Sequence, residues 1–153
     1  MLQRMAIFLV SILAVSQCFV EIGMVAQQPD ETYRAQEHYD KSIHWIPMRD
    51  GTRLFTIIYS PRDSGREYPV MLFRTPYSIA PYEQDKFHRV LGPSPLFAQD
   101  GYIFVYQDVR GKFQSPGTFE VMKPLRVKTG GDDSAVSDES TDTYDTIQWI
   151  LDH

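Results

Sequence analysis

Cysteine is almost absent: Cys18 stands alone among 153 residues. One thiol cannot close an internal disulfide, so the chain is not a small cross-linked scaffold. Basic residues are scarce too. Fifteen Lys and Arg face 20 Asp and Glu, for a formal net charge of -5. Without a basic stripe, nucleic acid is not an expected partner. There is no H-E-x-x-H and no Cys/His cluster, and the acidic residues Asp132, Asp133, Asp138 and Glu139 lack the spacing and glycine of a calcium loop. No metal is therefore expected. No G-x-G-x-x-G and no phosphate loop occurs, so no nucleotide or other cofactor is expected either.

Long hydrophobic runs are also missing. The longest, Met5 to Val15, is broken only by Ser11 and is too short for a bilayer core, which takes about 20 residues. Arg4 precedes it, and Ala14-Val15-Ser16 or Met24-Val25-Ala26 could serve as a cleavage site. This is the pattern of a signal peptide within residues 1–26, directing a bacterial chain to the periplasm or beyond. The alternative is an uncleaved membrane anchor. Cys18 as a lipid attachment site is a weaker reading, because Gln17 replaces the small residue wanted before it. Residues 27–42 are polar and read as a linker.

What is present suits a packed core: 42% of residues are hydrophobic and 13% aromatic. Ile43 to Met48 and Arg53 to Ser60 read as two strands joined at Asp50-Gly51, a type I′ hairpin signal. Tyr68 to Phe73 and Tyr102 to Tyr106 are continuous apolar runs, expected for strands buried on both faces. Between them, Glu83 to Leu91 could hold a helical turn. Leu96 to Asp100 could end a helix, with Gly101 just past its end. Ser140 to Asp152 reads as a helix with Asp142 and Asp145 in its first turns and Tyr144, Ile147, Ile150 and Leu151 on its core face. The fold class is α/β: an antiparallel hairpin leading into a mostly parallel sheet.

Several segments, taken in order, resemble the start of the X-Pro dipeptidyl-peptidase-like hydrolases. They are Asp50-Gly51-Thr52-Arg53-Leu54, Arg74-Thr75-Pro76-Tyr77, Gly101 to Gly111 ending Gln107-Asp108-Val109-Arg110-Gly111, Gly117, and Asp138 to Ile150. Within that group the similarity is greatest to α-amino-acid ester hydrolases, with cocaine esterase as a cousin. The resemblance covers residues 43–153 and implies the N-terminal part of an α/β-hydrolase catalytic domain. It also implies a Ser-His-Asp triad whose serine lies in a G-x-S-x-x-G elbow. No such elbow occurs in these residues. The expectation is a fragment of a secreted serine hydrolase acting on esters or amides, incomplete without a partner chain or further sequence. The alternative is a catalytically inactive remnant or a secreted non-enzymatic interaction module.

By the same resemblance, Tyr77 donates its hydroxyl to the oxyanion hole. Its place after the first buried strand agrees with where α/β-hydrolases draw one such donor. Taken without the family, Tyr77 reads rather as a core tyrosine with a satisfied hydroxyl. Asp108 and Arg110 sit beyond a strand end and read as an ion pair or turn support. Tyr82 and Tyr106 read as packing residues. His38, His44, His88 and His153 show no triad spacing to a carboxylate and a serine. A half-built sheet is expected to expose its last strand edge and the faces of the two apolar strands.

Overall fold

The computed structural model describes residues 33–121 and 137–153. The signal-peptide segment, Cys18, the first part of the linker and the Asp132-Asp133 pair lie outside the described residues. A short helix, α1 (Ala35–His38), leads into β1 (Tyr39–Pro47). Both begin within the stretch read as linker, and β1 starts four residues earlier than expected. The early part of β1 buries Tyr39 and Lys41. A lysine at an inward position hides the alternation that marks a strand. Its ammonium is satisfied by three carbonyls, donating to Pro81, Glu83 and Lys86 at 2.8, 2.7 and 2.7 Å.

β2 (Arg53–Pro61) pairs with β1 in antiparallel register from Tyr39↔Pro61 to Pro47↔Arg53. The connection corrects the expected two-residue type I′ turn. Of Asp50 and Gly51, only Gly51 takes a positive φ, +82°. The N–H of Gly51 donates to Met48 O (2.8 Å), and the N–H of Met48 to Thr52 O (2.7 Å). The loop therefore holds Arg49, Asp50 and Gly51, the three-residue form with glycine at its left-handed position. The Asp50 carboxylate accepts from the Thr52 N–H (3.0 Å) and keeps its own backbone out of that region.

β3 (Val70–Thr75), α2 (Pro95–Asp100), β4 (Ile103–Asp108) and α3 (Glu139–Asp152) follow. Ser94 caps α2, Pro95 opens it, and Gly101 closes it at φ +86°. Asp138 and Thr141 form a capping box on α3. Over Glu83 to Leu91 no helix forms, and a single turn is closed by the Lys86 N–H on Glu83 O at 3.2 Å. The carbonyls of Pro81, Glu83 and Lys86 all accept from the Lys41 ammonium, and Glu83 O alone of the three also closes that turn.

The strand order is β1-β2-β4-β3. β2 and β4 are antiparallel, and β3 and β4 are parallel from Val70↔Ile103 to Thr75↔Asp108. The hairpin thus leads into a parallel pair, as an α/β opening should. One face of the sheet carries Tyr39, Phe55, Ile57, Tyr59 and Phe104, which pack with Ile79, Leu91 and Ala98 from the β3–β4 crossover. The other face carries Ile46, Leu54, Thr56 and Gln107, under α3.

Two expectations of burial change. β4 is well buried, but β3 is only half-buried and forms the outer strand of the described sheet. On α3, Tyr144, Ile147 and Leu151 are exposed, while Asp142 and Thr146 are buried and Trp149 packs against Ile46, Met48 and Leu54. The helix has turned its polar stripe inward because the sheet opposite offers hydrogen-bonding partners.

Candidate functional site

β3 and β4 end side by side. Thr75 pairs with Asp108, and the Val109 N–H donates to Thr75 O at 3.2 Å. In open α/β sheets ligands bind beyond such carboxyl ends. Two loops leave from this point. The first carries Tyr77, whose N–H donates to Thr75 Oγ1 at 3.0 Å, closing a tight turn around Pro76. The Tyr77 side chain is 78% exposed, which excludes the core-tyrosine reading within the described residues.

The second loop runs from Val109 to Gly117 and is fixed from below. Buried Ser115 donates its hydroxyl to Asp108 O (2.6 Å) and accepts from the Phe55 N–H (2.9 Å). Backbone bonds join Gly111 N–H to Pro116 O and Ser115 N–H to Lys112 O, at 3.0 and 2.9 Å. Gly111 has φ +71°, and a β-carbon there would meet the Phe119 nitrogen at 2.3 Å, so no other residue fits.

Asp108 ties the loops together. It is fully buried, and its Oδ2 accepts from the Tyr82 hydroxyl (3.0 Å) and the Gln114 N–H (3.2 Å). The Tyr82 hydroxyl also meets Ser78 Oγ at 3.1 Å, and Ser78 Oγ accepts from the Ala80 N–H at 3.1 Å. The loop bearing Tyr77 is thereby anchored to β4. The other oxygen, Oδ1, has no hydrogen-bond partner among the described residues. Burial pushes the Asp108 carboxyl above the usual carboxylate range, against the pull of its donors.

Asp108 and Arg110 thus serve separately and do not form a pair. Arg110 is bidentate to Asp142, with Nε to Oδ2 at 2.9 Å and Nη2 to Oδ1 at 2.7 Å. It also reaches Asp50 Oδ2 at 2.7 Å and Ser137 Oγ at 2.6 Å. The bonds to Asp142 hold its guanidinium firmly charged, well above its ordinary pKa. Arg74 donates through Nε to Gln107 Oε1 (2.7 Å) and through Nη1 to Glu139 and Thr143 on α3. Burial lowers its pKa, and Glu139 and Asp142 oppose that shift. Gln107 completes the link, donating to Thr56 and Thr146 at 3.0 Å each. Arg49 pairs with Asp145 at 2.7 Å, which holds the Asp145 carboxyl below its usual range.

The residues that carry the family resemblance are therefore mostly structural. Asp50, Arg74, Gln107, Arg110, Asp142 and Asp145 fasten the hairpin, the sheet and α3 into one unit. Tyr77 and Asp108 lie instead at the carboxyl ends of the paired strands β3 and β4. Sequence reasoning missed Thr146 and the inward role of Asp142, which apolar periodicity cannot find. It also assigned Tyr82 to packing alone. The ring does lie against Phe55, at 5.5 Å between centroids, but the hydroxyl holds Asp108. Tyr106 packs as expected, stacked on Phe73 at 4.9 Å, and its hydroxyl accepts from the Gly92 N–H.

The histidines are dispersed. His38 stacks on Tyr33, His88 on Tyr106, and His153 on Trp149. His44 does reach a serine, Ser42 Oγ at 2.9 Å, on its own strand. Its other neighbour is the ring of Trp149.

The family described as X-Pro dipeptidyl-peptidase (S15 family) matches residues 50–153. The cocaine esterase of Rhodococcus sp. (strain MB1 Bresler) is 37% identical over 111 residues, which is 69% of this chain and 16% of the esterase. A solved α-amino acid ester hydrolase superposes with a TM-score of 0.60 at 33% identity, over 84% of this chain and 21% of that one. An aminopeptidase from a marine sediment archaeon, Thaumarchaeota archaeon, gives 0.57 at 35% identity, over 84% and 21%. The chain thus spans only a small part of the length of these relatives.

Proposed function

The chain belongs to the X-Pro dipeptidyl-peptidase (S15) family, and from that membership we propose that it forms the opening part of the catalytic domain of a serine hydrolase cleaving esters or amides. The family is one of ester and peptide hydrolases. The single observation that carries the reading is the match across residues 50–153, which takes in both loops at the strand ends.

In this reading a serine outside these residues attacks the acyl carbonyl, a histidine carries the proton to the leaving alcohol or amine, and water then releases the acyl group. Tyr77 supplies one donor to the oxygen that becomes negative. Support comes from its place one turn beyond β3, its exposed phenol, and the anchoring of its loop through Ser78, Tyr82 and Asp108. The substrate is a small ester or amide, with an α-amino-acid acyl group as the favoured class by similarity to the ester hydrolase. Residues 1–26 direct the protein out of a bacterial cytoplasm. No helix among the described residues is long and apolar enough to cross a membrane.

The test is hydrolysis of an α-amino-acid ester with a serine-reactive phosphonate as inhibitor. Protein carrying these residues together with a G-x-S-x-x-G serine should turn over and lose activity to the phosphonate. The 153 residues alone should do neither. Phosphonate-sensitive turnover by the 153 residues, or none by the serine-bearing protein, sinks the reading.

A further inference from the structure

The loop after β4 contains the one non-glycine residue with a positive φ among the described residues, Phe113 at +48°. A bulky side chain is strained there, and such strain persists only where the surroundings over-determine the backbone. They do so here. Ser115, Gly111 and the two backbone bonds described above hold both flanks, and the Gln114 N–H is fixed on buried Asp108. Glycine or asparagine would adopt this conformation with less strain. The ring also gains little by burial, since it remains 59% exposed. Among the described residues the burial of the ring does not offset that strain.

The position suggests another purpose. Phe113 and Tyr77 are borne on the two loops that leave the paired ends of β3 and β4, and both loops are tethered to the same carboxylate oxygen of Asp108. We propose that Phe113 is a specificity-determining residue that contacts an apolar, ring-bearing acyl group of the substrate whose carbonyl oxygen Tyr77 receives. This inference rests on the hydrolase reading given above.

The test compares p-nitrophenyl phenylacetate with p-nitrophenyl acetate, which share a leaving group and differ only in the acyl ring, using the serine-bearing protein. Phe113→Gly should lower kcat/KM for the phenylacetate roughly 10-fold, mostly through KM, and leave the acetate nearly unchanged. The same variant should raise Tm by roughly 1–3 °C, because the strain is removed. Phe113→Tyr should keep the preference. Equal effects on both esters, an unchanged ratio, or a lowered Tm overturns the assignment while leaving the hydrolase reading intact. If the unaltered protein hydrolyses neither ester nor an α-amino-acid ester, both readings fall together.

Discussion

The two faces of the sheet are buried by opposite chemistry. Toward the β3–β4 crossover the contacts are rings: Tyr39, Phe104, Tyr59 and Phe55 pack over Ile79 and Leu91. Toward α3 the centre is polar, with Thr56, Gln107 and Arg74 meeting Thr146 and Asp142. Apolar packing is non-directional and holds an irregular crossover as readily as a helix. The polar face is directional: apart from Arg74 Nη2, its buried donors meet named acceptors, which favours one docking register for α3. The crossover carries the Tyr77 loop, and the docked helix fixes the strands beneath it.

This contrast can be broken from either side. Phe104→Ala should cost about 3–5 kcal/mol in chemical denaturation, as a cavity in the apolar face. Asp142→Ala should cost a similar amount, about 3–5 kcal/mol, because Arg110 loses its buried bidentate partner. The faces should then diverge on repair. Arg110→Met combined with Asp142→Leu should recover most of the second loss, since an apolar pair of like volume avoids the desolvation cost. If the double variant is no more stable than Asp142→Ala, the directional account of this face is wrong.

A smaller effect separates two kinds of carboxylate by pH. Asp145 is held below the usual range, chiefly by its bonds to Arg49, so its contribution is present above the ordinary carboxylate pKa and is lost as pH falls through the depressed value. Asp108 is raised by burial, so its contribution is present in acid and is lost as pH rises through the raised value. Relative to the unaltered protein, Asp108→Asn should gain stability as pH rises from about 4. A stability difference that is flat with pH would contradict this.

Smallest should be Arg49→Ala, about 0.5–1 kcal/mol at neutral pH, because that pair is partly exposed and screened by salt. Its cost should fade in acid as Asp145 protonates. A cost above that of Asp142→Ala would contradict the ranking of the buried pair over the partly exposed one.

Much of this architecture is legible in the sequence. The β4 run, Gly101 at the end of α2 and the α3 boundary follow from local apolar pattern and capping chemistry. Much of what fails does so because polar burial leaves no periodic trace, while the three-residue Asp50-Gly51 loop and the half-buried β3 are separate departures. Lys41 hides the start of β1 and draws the Glu83 region away from helix. Asp142 and Thr146 reverse the inward face of α3, because the pattern of Tyr144, Ile147 and Leu151 cannot report that the sheet opposite is polar. The role proposed for Tyr77 comes from resemblance alone, since nothing in its local spacing separates an oxyanion donor from a packed ring. The strain at Phe113 is invisible in sequence, where the residue looks like any loop aromatic.

The most direct measurement is kcat and KM for an α-amino-acid ester with Tyr77→Phe in the serine-bearing protein. Loss of one oxyanion donor predicts a kcat lower by about 10²–10³ with KM nearly unchanged. An unchanged kcat would contradict the account and leave Tyr77 a surface residue of the scaffold.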